Sequence, residues 1–319
     1  MLKNPYVSVV IVCMNNLKNL TPCLDSIIKN TSLQIEIYVV SYLFPEEKIA
    51  AVKKAFPSVF FIPSNKIRGF SENNNIALKK CKGKYCFILN DDTYFDTHVI
   101  DNLFFTIENI KNASVISPVT INIDGSLQSC GRPKLNMLTY ILTGLQLYNE
   151  QKTKSKYTYQ KGIFQSYNIV GAAFMIKREV FEKIGFFDET YFFCPEDIDV
   201  STKLNKIGYK CYVNSNIKIT HTGSGSSHSM IQTATLPAQT RGEIIFYSGR
   251  SFFLRLIFRG YLYLYYSIKY IYYKIKSAKG NKHFKIRSVA LKNSLCIINS
   301  KKMPKDIFIE YYNKIQNRS

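Results

Sequence analysis

The sequence is short of acidic residues, has no closely spaced cysteine pair and contains no long uncharged apolar run. Each shortage narrows what the chain can be. The eight cysteines stand at 13, 23, 81, 86, 130, 194, 211 and 296, with no C-x-x-C pair and no histidine at finger spacing. That pattern excludes a zinc module and a small disulfide scaffold, and the cysteines read as small hydrophobes of a reduced, cytosolic chain. No stretch reaches the roughly 18 uncharged apolar residues of an ordinary spanning helix. The opening MLKNPYVSVVIVCMNN has an apolar run of only about six residues and no small-residue cleavage site, so no signal peptide is expected. No internal repeat is present. Acids number 22 against 43 Lys and Arg, a formal charge of +21. Such an excess points to an anionic partner: nucleic acid, a membrane surface or a phosphorylated substrate. Its placement is uneven. From Arg241 to Ser319 there are 17 basic and 3 acidic residues, so +14 of the +21 lies there, and +7 belongs to the first 240 residues.

Within 319 residues, 46% hydrophobic and 20% charged, the composition is that of a globular chain with room for one large or two ordinary domains. Tyr6 to Val12 reads as a buried parallel strand, followed by a helix over Leu20 to Ile28. Further strands are expected at Ile35–Val40, Val59–Ile62 and Tyr85–Leu89, with helices at Pro45–Ala55 and Ser71–Cys81 between them. Strands alternating with helices predict an α/β sheet, and ligands then sit beyond the carboxyl ends of the strands. The middle reads as less regular, with turn chemistry from Asn122 to Pro133 and a polar, mobile stretch from Tyr148 to Gly162. Order returns with a strand over Ile169–Lys177 and helices over Arg178–Ile184 and Glu196–Ile207. Two strands, Lys210–Val213 and Ile217–Thr220, then precede a flexible GSGSSHS linker at Gly223–Ser229.

Three clusters carry chemistry. Asn90-Asp91-Asp92-Thr93 follows the strand Tyr85–Leu89 directly. Adjacent acids at a strand end repel unless a cation is near, and a divalent metal holding a diphosphate would fit; a helix N-cap at Asp92 or Thr93 is the alternative. Glu196-Asp197-Ile198-Asp199 puts three acids at a helix start, where they either serve the helix dipole or supply a general base. His221 lies 24 residues after Asp197, just beyond a strand, in a structural position or at a loop mouth where it can ligate.

In combination these segments resemble a family 2 glycosyltransferase of the GT-A type, in the rhamnosyltransferase-like branch that builds bacterial surface polysaccharides. The resemblance rests on VSVVIVCMNN at 7–16, GFSENNNIA at 69–77, LNDDT at 89–93 and the block GAAFMIKREVFEKIGFFDETYFFCPEDIDVSTKLNKIGYKCY at 171–212 with His221 after it. It extends over residues 6 to 260. It implies an α/β, GT-A-like nucleotide-diphospho-sugar transferase fold: a mixed central sheet flanked by helices, with a helical, basic and aromatic C-terminal extension. Residues 1–240 would be the catalytic domain, split into a nucleotide-binding half at 1–95 and an acceptor-binding half at 96–240, and 241–319 the extension. Residue by residue, Asp92 matches the metal-binding aspartate and His221 a histidine that completes the metal shell, with Mn²⁺ or Mg²⁺ as cofactor. Asn15, Ser41, Asn75, Asn90 and Asp91 match nucleotide-sugar-binding positions. Asp197 matches the catalytic base, Glu196 a neighbour that orients substrate or the helix start, and Gly171-Ala172 a small-residue segment under the acceptor. The sequence departs from the family at Ser41, where an aspartate that reads the base is usual, and at Cys13-Met14, where a polar-aromatic pair is usual. The departure at Ser41 is what an inactive, nucleotide-binding subunit of an assembly complex would also show.

An inverting sugar transfer needs a base on the acceptor side and neutralised charge on the departing diphosphate. The resemblance implies a nucleotide-diphosphate sugar donor, dTDP-rhamnose or a UDP-sugar, and a polyprenyl-linked saccharide acceptor. The C-terminal stretch SFFLRLIFRGYLYLYYSIKYIYYKIK at 251–276 holds seven Tyr, three Phe and five cations. Rings and cations so mixed suit the headgroup layer of an anionic membrane; a pair of helices packed on the catalytic domain is the other reading. No nucleic-acid module accompanies it, and no nucleic-acid partner is expected. The location expected is cytoplasmic, peripheral on the inner face of the membrane.

Overall fold

A computed structural model describes residues 5–128, 130–148, 157–223, 230–278 and 280–317. The linker expected at Gly223–Ser229, apart from its first residue, and positions 149–156 of the expected polar stretch lie outside these residues.

Strand β1 (Val7–Met14) is dominated by valine and isoleucine and is buried nearly throughout. It pairs in parallel with β2 (Ile35–Tyr42) on one side and β4 (Tyr85–Asn90) on the other, and β3 (Val59–Ser64) pairs in parallel with β2. Beyond β4 the direction changes. Strand β8 (Ala173–Lys177) runs antiparallel to β4 and to β6 (Ala113–Ile121), and β6 runs parallel to β9 (Lys210–His221). The short β5 (Thr93–Tyr94) and β7 (Ile163–Ser166) pair antiparallel with β9. The sheet order is β3-β2-β1-β4-β8-β6-β9-β5, with β7 also on β9. The expected mixed sheet is therefore present.

Both faces of the sheet are covered. Alternate β1 residues Val7, Val9 and Ile11 face one core with α1 (Leu17–Lys29), α2 (Glu46–Ala55) and α4 (Val99–Glu108). Val10 faces the other with α3 (Phe70–Leu78), α6 (Arg178–Lys183) and α7 (Glu196–Lys206). A continuous apolar run with period-2 facing is what two covered faces require. The two strands expected at 210–213 and 217–220 are one strand, β9, whose pairing with β6 shifts register between Pro118 and Val119. Pro118 lacks the N–H that a regular ladder needs.

The C-terminal region is helical and folds back on this layer. After α5 (Met137–Gly144) in the middle of the chain, α8 (Gln232–Ser248), α9 (Phe252–Ser277), α10 (Lys282–Ile297) and α11 (Pro304–Gln316) follow one another. Helix α8 runs across residue 240, where the composition shifts. Phe192 of the sheet layer packs with Ile307 and Phe308 of α11, while Ile244 and Phe258 join Tyr140 of α5. Gly242 makes this fit possible, because a Cβ there would stand 2.8 Å from the Cys194 carbonyl oxygen. Helix α9 has two unlike faces. Phe258, Leu262 and Tyr266 are buried, whereas Phe253, Leu256, Leu264, Ile268, Ile271 and Ile275 are all more than half exposed.

Candidate active site

The carboxyl ends of β1, β2 and β4 converge, as the ligand rule for parallel strands anticipates. Asn15 turns the chain out of β1 with φ of 48°, a left-handed conformation that asparagine tolerates. Its side-chain oxygen accepts from Lys48 Nζ at 3.0 Å, and Asn16 caps α1. Ser41 is buried, 1% exposed, opposite Cys13 in the register of β1 and β2. Asn75 does not join this group. Its amide donates to the Phe187 carbonyl and to Glu189 Oε1, both at 2.9 Å, and accepts from the Phe187 N–H, so it ties α3 to the turn before α7.

Residues 90–93 do join it. Asn90 ends β4, and Thr93 opens β5 instead of capping a helix; the next helix starts at Val99. The N-cap reading of Asp92 and Thr93 is thereby overturned. Pairing of Thr93 with His221 brings the imidazole to the acids, and His221 Nε2 lies 3.2 Å from Asp92 Oδ1. The other ring nitrogen, Nδ1, is 2.8 Å from Gln128 Oε1. Gln128 Nε2 donates to the His221 carbonyl at 2.8 Å and to Asn122 Oδ1 at 2.7 Å. With its NH₂ group so committed, the amide presents its oxygen to Nδ1, and Nε2 is left to face Asp92.

Asp91 sits deeper. Burial, aided by the Asp92 charge, pushes its carboxyl up to about 6, against a hydrogen bond from the Cys13 thiol. Burial and Asp91 itself push the Cys13 thiol far up, so it stays a protonated donor. The unusual cysteine thus serves the acid beside it.

A second group of polar residues begins one strand away. The Asn90 N–H donates to the Ala172 carbonyl at 2.9 Å, and the neighbouring Gly171 N–H donates to Asp197 Oδ2 at 3.3 Å. Asp197 Oδ1 accepts from the Ile198 N–H at 2.8 Å, and Arg132 Nη1 stands 3.5 Å from Oδ2. Glu196, next to it, is buried; burial and the Asp197 charge push its carboxyl well above its ordinary value. Asp199 is held by Lys203 Nζ at 2.7 Å, a contact within α7, and so belongs to the helix.

Asp197 opens onto a cavity of about 390 Å³ whose walls include Arg132, Tyr140, Glu243, Tyr247, Tyr261 and Tyr265. Tyr140 donates to Glu243 Oε2 at 2.8 Å, and Gln239 donates to Oε1 at 2.9 Å. Sequence reading missed these residues and Gln128. Gln128, Arg132 and Tyr140 lie in the stretch that reads as irregular, while the others lie on C-terminal helices without a local motif. The arrangement sets a carboxylate held by main-chain N–H groups at the mouth of an aromatic cavity. An acid-histidine pair stands across β8 from it.

Residues 8–185 match the sequence model of glycosyl transferase family 2. The chain belongs to this family. Its fold is the GT-A fold of such enzymes. Among solved structures it is similar to GalNAc-T7 with UDP, GalNAc and Mn²⁺, at a TM-score of 0.56 and 17% identity, over 94% of this chain and 57% of that one. The chain thus spans little more than half of that structure. It is also similar to the mannosyltransferase PcManGT from Pyrobaculum calidifontis in complex with GDP-Man and Mn²⁺. There the TM-score is 0.51 and the identity 16%, covering 98% of this chain and 81% of that one. At such identities the likeness is one of fold. No curated protein sequence is significantly similar to it.

Proposed function

We propose that this family 2 protein is an inverting glycosyltransferase of the rhamnosyltransferase-like branch, active in cell-surface polysaccharide synthesis. It moves a sugar from dTDP-rhamnose or a UDP-sugar to a polyprenyl-linked saccharide. The observation that carries the reading is the link from Asn90 through Ala172 and Gly171 to Asp197, which couples the acidic strand end to a carboxylate at a cavity mouth. In this reading the acceptor sugar lies in the cavity, with tyrosine rings against its faces. Asp197 takes the acceptor proton as the hydroxyl oxygen attacks the anomeric carbon. The bond from that carbon to the diphosphate oxygen breaks, and the nucleoside diphosphate leaves with the electron pair. Arg132 and the Gly171 N–H hold the carboxylate in place.

Asp92 and His221 suit a divalent cation as a two-residue site. Among the described residues no three His, Cys, Asp or Glu side chains are grouped to enclose a metal, and a cation held by Asp92 and His221 would need further oxygen ligands, which a diphosphate could supply. The mixed oxygen and nitrogen set favours Mn²⁺ over Mg²⁺. A bound ion there would act as a Lewis acid on the leaving diphosphate. Asn90 and Asp91 then lie toward the ribose and phosphates, Asn15 and Ser41 toward the nucleoside, and Glu196 beside the acceptor.

The exposed apolar face of α9, with Arg255, Lys269, Lys274 and Lys276 on the same helix, supports a protein that rests on the inner, anionic face of the cytoplasmic membrane. Among the described residues no helix is long and apolar enough to cross a membrane. Transfer assays with Mn²⁺, a panel of nucleotide-sugars and a polyprenyl-linked acceptor test the reading. Nucleoside diphosphate release with a glycosylated lipid product supports it. Nucleotide binding without release would instead support an inactive binding subunit, the reading that Ser41 favours.

A further inference from the structure

Helix α9 starts in a corner rich in arginine. Between residues 241 and 259 there are four, Arg241, Arg250, Arg255 and Arg259, and a single acid, Glu243. Glu243 faces the cavity beside Asp197, where Tyr140 and Gln239 hold it. Arg241, two residues before it on α8, points the other way, because two residues turn a helix by about 200°. Its Nε donates at 3.0 Å to the carbonyl of Lys302, in the turn between α10 and α11. Arg255 and Arg259 stand one turn apart on one face of α9, and Arg255 Nη2 donates to the Gly249 carbonyl at 3.0 Å.

These guanidinium groups are short of acceptors. Among the described residues no carboxylate pairs with Arg241, Arg255 or Arg259, and Nη1 of Arg241 and Nε of Arg259 are buried without a hydrogen-bond partner. Burial, with the charges of Arg259 and Arg255, holds Arg241 below its ordinary value, and burial with the charge of Arg255 does the same to Arg259. Like charges drawn together out of water, with donors unmet, cost stability. An anion among them removes both penalties. The surface beside the cluster is apolar. Phe252 is 76% exposed and Phe253 69%, and Leu256, Ile257 and Met303 are exposed as well.

We propose that Arg241, Arg255 and Arg259 form a binding site for the phosphate of an anionic lipid headgroup, with Phe252 and Phe253 entering the membrane beside it. The inference rests on the membrane reading above and deepens it. That reading needs only diffuse positive charge, whereas this one needs the planar fork of arginine, which meets two phosphate oxygens at once as lysine does not. The apolar rim selects the source of the phosphate. A soluble anion gains nothing from exposed phenylalanine rings, while a headgroup presents its phosphate at the level where such rings lie half-buried. The first turns of α9 are then the fixed point of attachment, and Lys269, Lys274 and Lys276 further along the helix add longer-range attraction.

Sedimentation of the full chain with phosphatidylcholine vesicles, with and without phosphatidylglycerol, tests this. Arg255→Lys combined with Arg259→Lys keeps every charge, and should weaken partition onto the phosphatidylglycerol vesicles by about tenfold. Partition equal to that of wild type overturns the site while the membrane reading stands. A wild-type chain that binds neither kind of vesicle overturns both. Modification of wild-type arginines by phenylglyoxal, mapped by mass spectrometry, needs no variant to fold. Protection of Arg255 and Arg259 by phosphatidylglycerol vesicles, and not by inorganic phosphate, supports the assignment. Equal modification with and without vesicles, or equal protection by inorganic phosphate, overturns it.

Discussion

Gln128 holds the ring of His221: its side-chain oxygen lies 2.8 Å from Nδ1, leaving Nε2 to face Asp92 at 3.2 Å. A residue 93 positions away in sequence therefore orients the ring of a proposed metal ligand. Gln128→Leu should raise the Mn²⁺ concentration for half-maximal activity by about 10- to 100-fold with kcat at saturating metal retained. His221→Ala should do at least as much. Titration of activity against Mn²⁺ checks both, and an unchanged midpoint in Gln128→Leu removes the assignment.

Asp197 is tested apart from donor binding. If it is the base, Asp197→Asn should lower kcat by about 10²- to 10⁴-fold while nucleotide affinity stays as it was. Wild-type turnover in the variant would reject the role.

The buried carboxyl of Glu196 gives a pH dependence. Folding raises it above its ordinary 4.5, so the native state holds a proton that the unfolded chain has released. Stability from this group is thus lost as pH rises from about 4.5 through the raised value. Glu196→Gln keeps the site neutral. The variant should gain in melting temperature relative to wild type at pH 9 and gain less at pH 5; an equal difference at both values contradicts the prediction.

The outer face of α9 is open to a direct measurement. Replacing Leu264, Ile268 and Ile271 with glutamate should reduce partition onto anionic vesicles at least tenfold, since apolar burial and cationic attraction are both weakened. Transfer to a water-soluble saccharide acceptor should persist. Unaltered vesicle sedimentation would show that this face serves something other than lipid.

Much of the N-terminal half is legible in the sequence because its signals are local. The valine-rich β1 and the acidic end of β4 each announce themselves within a dozen residues, and the family motifs lie on them. The rest depends on contacts between distant segments. Strand β6 is interrupted at Pro118, where the ladder shifts, and so hides its period. Helix α8 carries Pro237 and three threonines, which weaken a helical signature that tertiary packing overrides. The cationic excess after Arg241 marks a real change of composition, but it says nothing of the inward tyrosines at 261 and 265 or of the ring at 312. Those positions acquire meaning when α9 folds over the cavity beside Asp197 and α11 packs against Phe192. The tail is packed helices on its inner side, as one of the two sequence readings expects, and it leaves an apolar face of α9 exposed.

The pairing of β4 with β8 has one more consequence. Leu89 lies opposite Ala173, and from that rung the chain reaches Asp91 and Asp92 in one direction and Gly171 with its Asp197 contact in the other. The span between the proposed base and the proposed diphosphate site is therefore set by one strand register, with no hinge needed between two domains. A slip of one residue there would turn the small-residue segment to the opposite face of the sheet. It would part the two halves of the proposed site without altering a single one of its side chains.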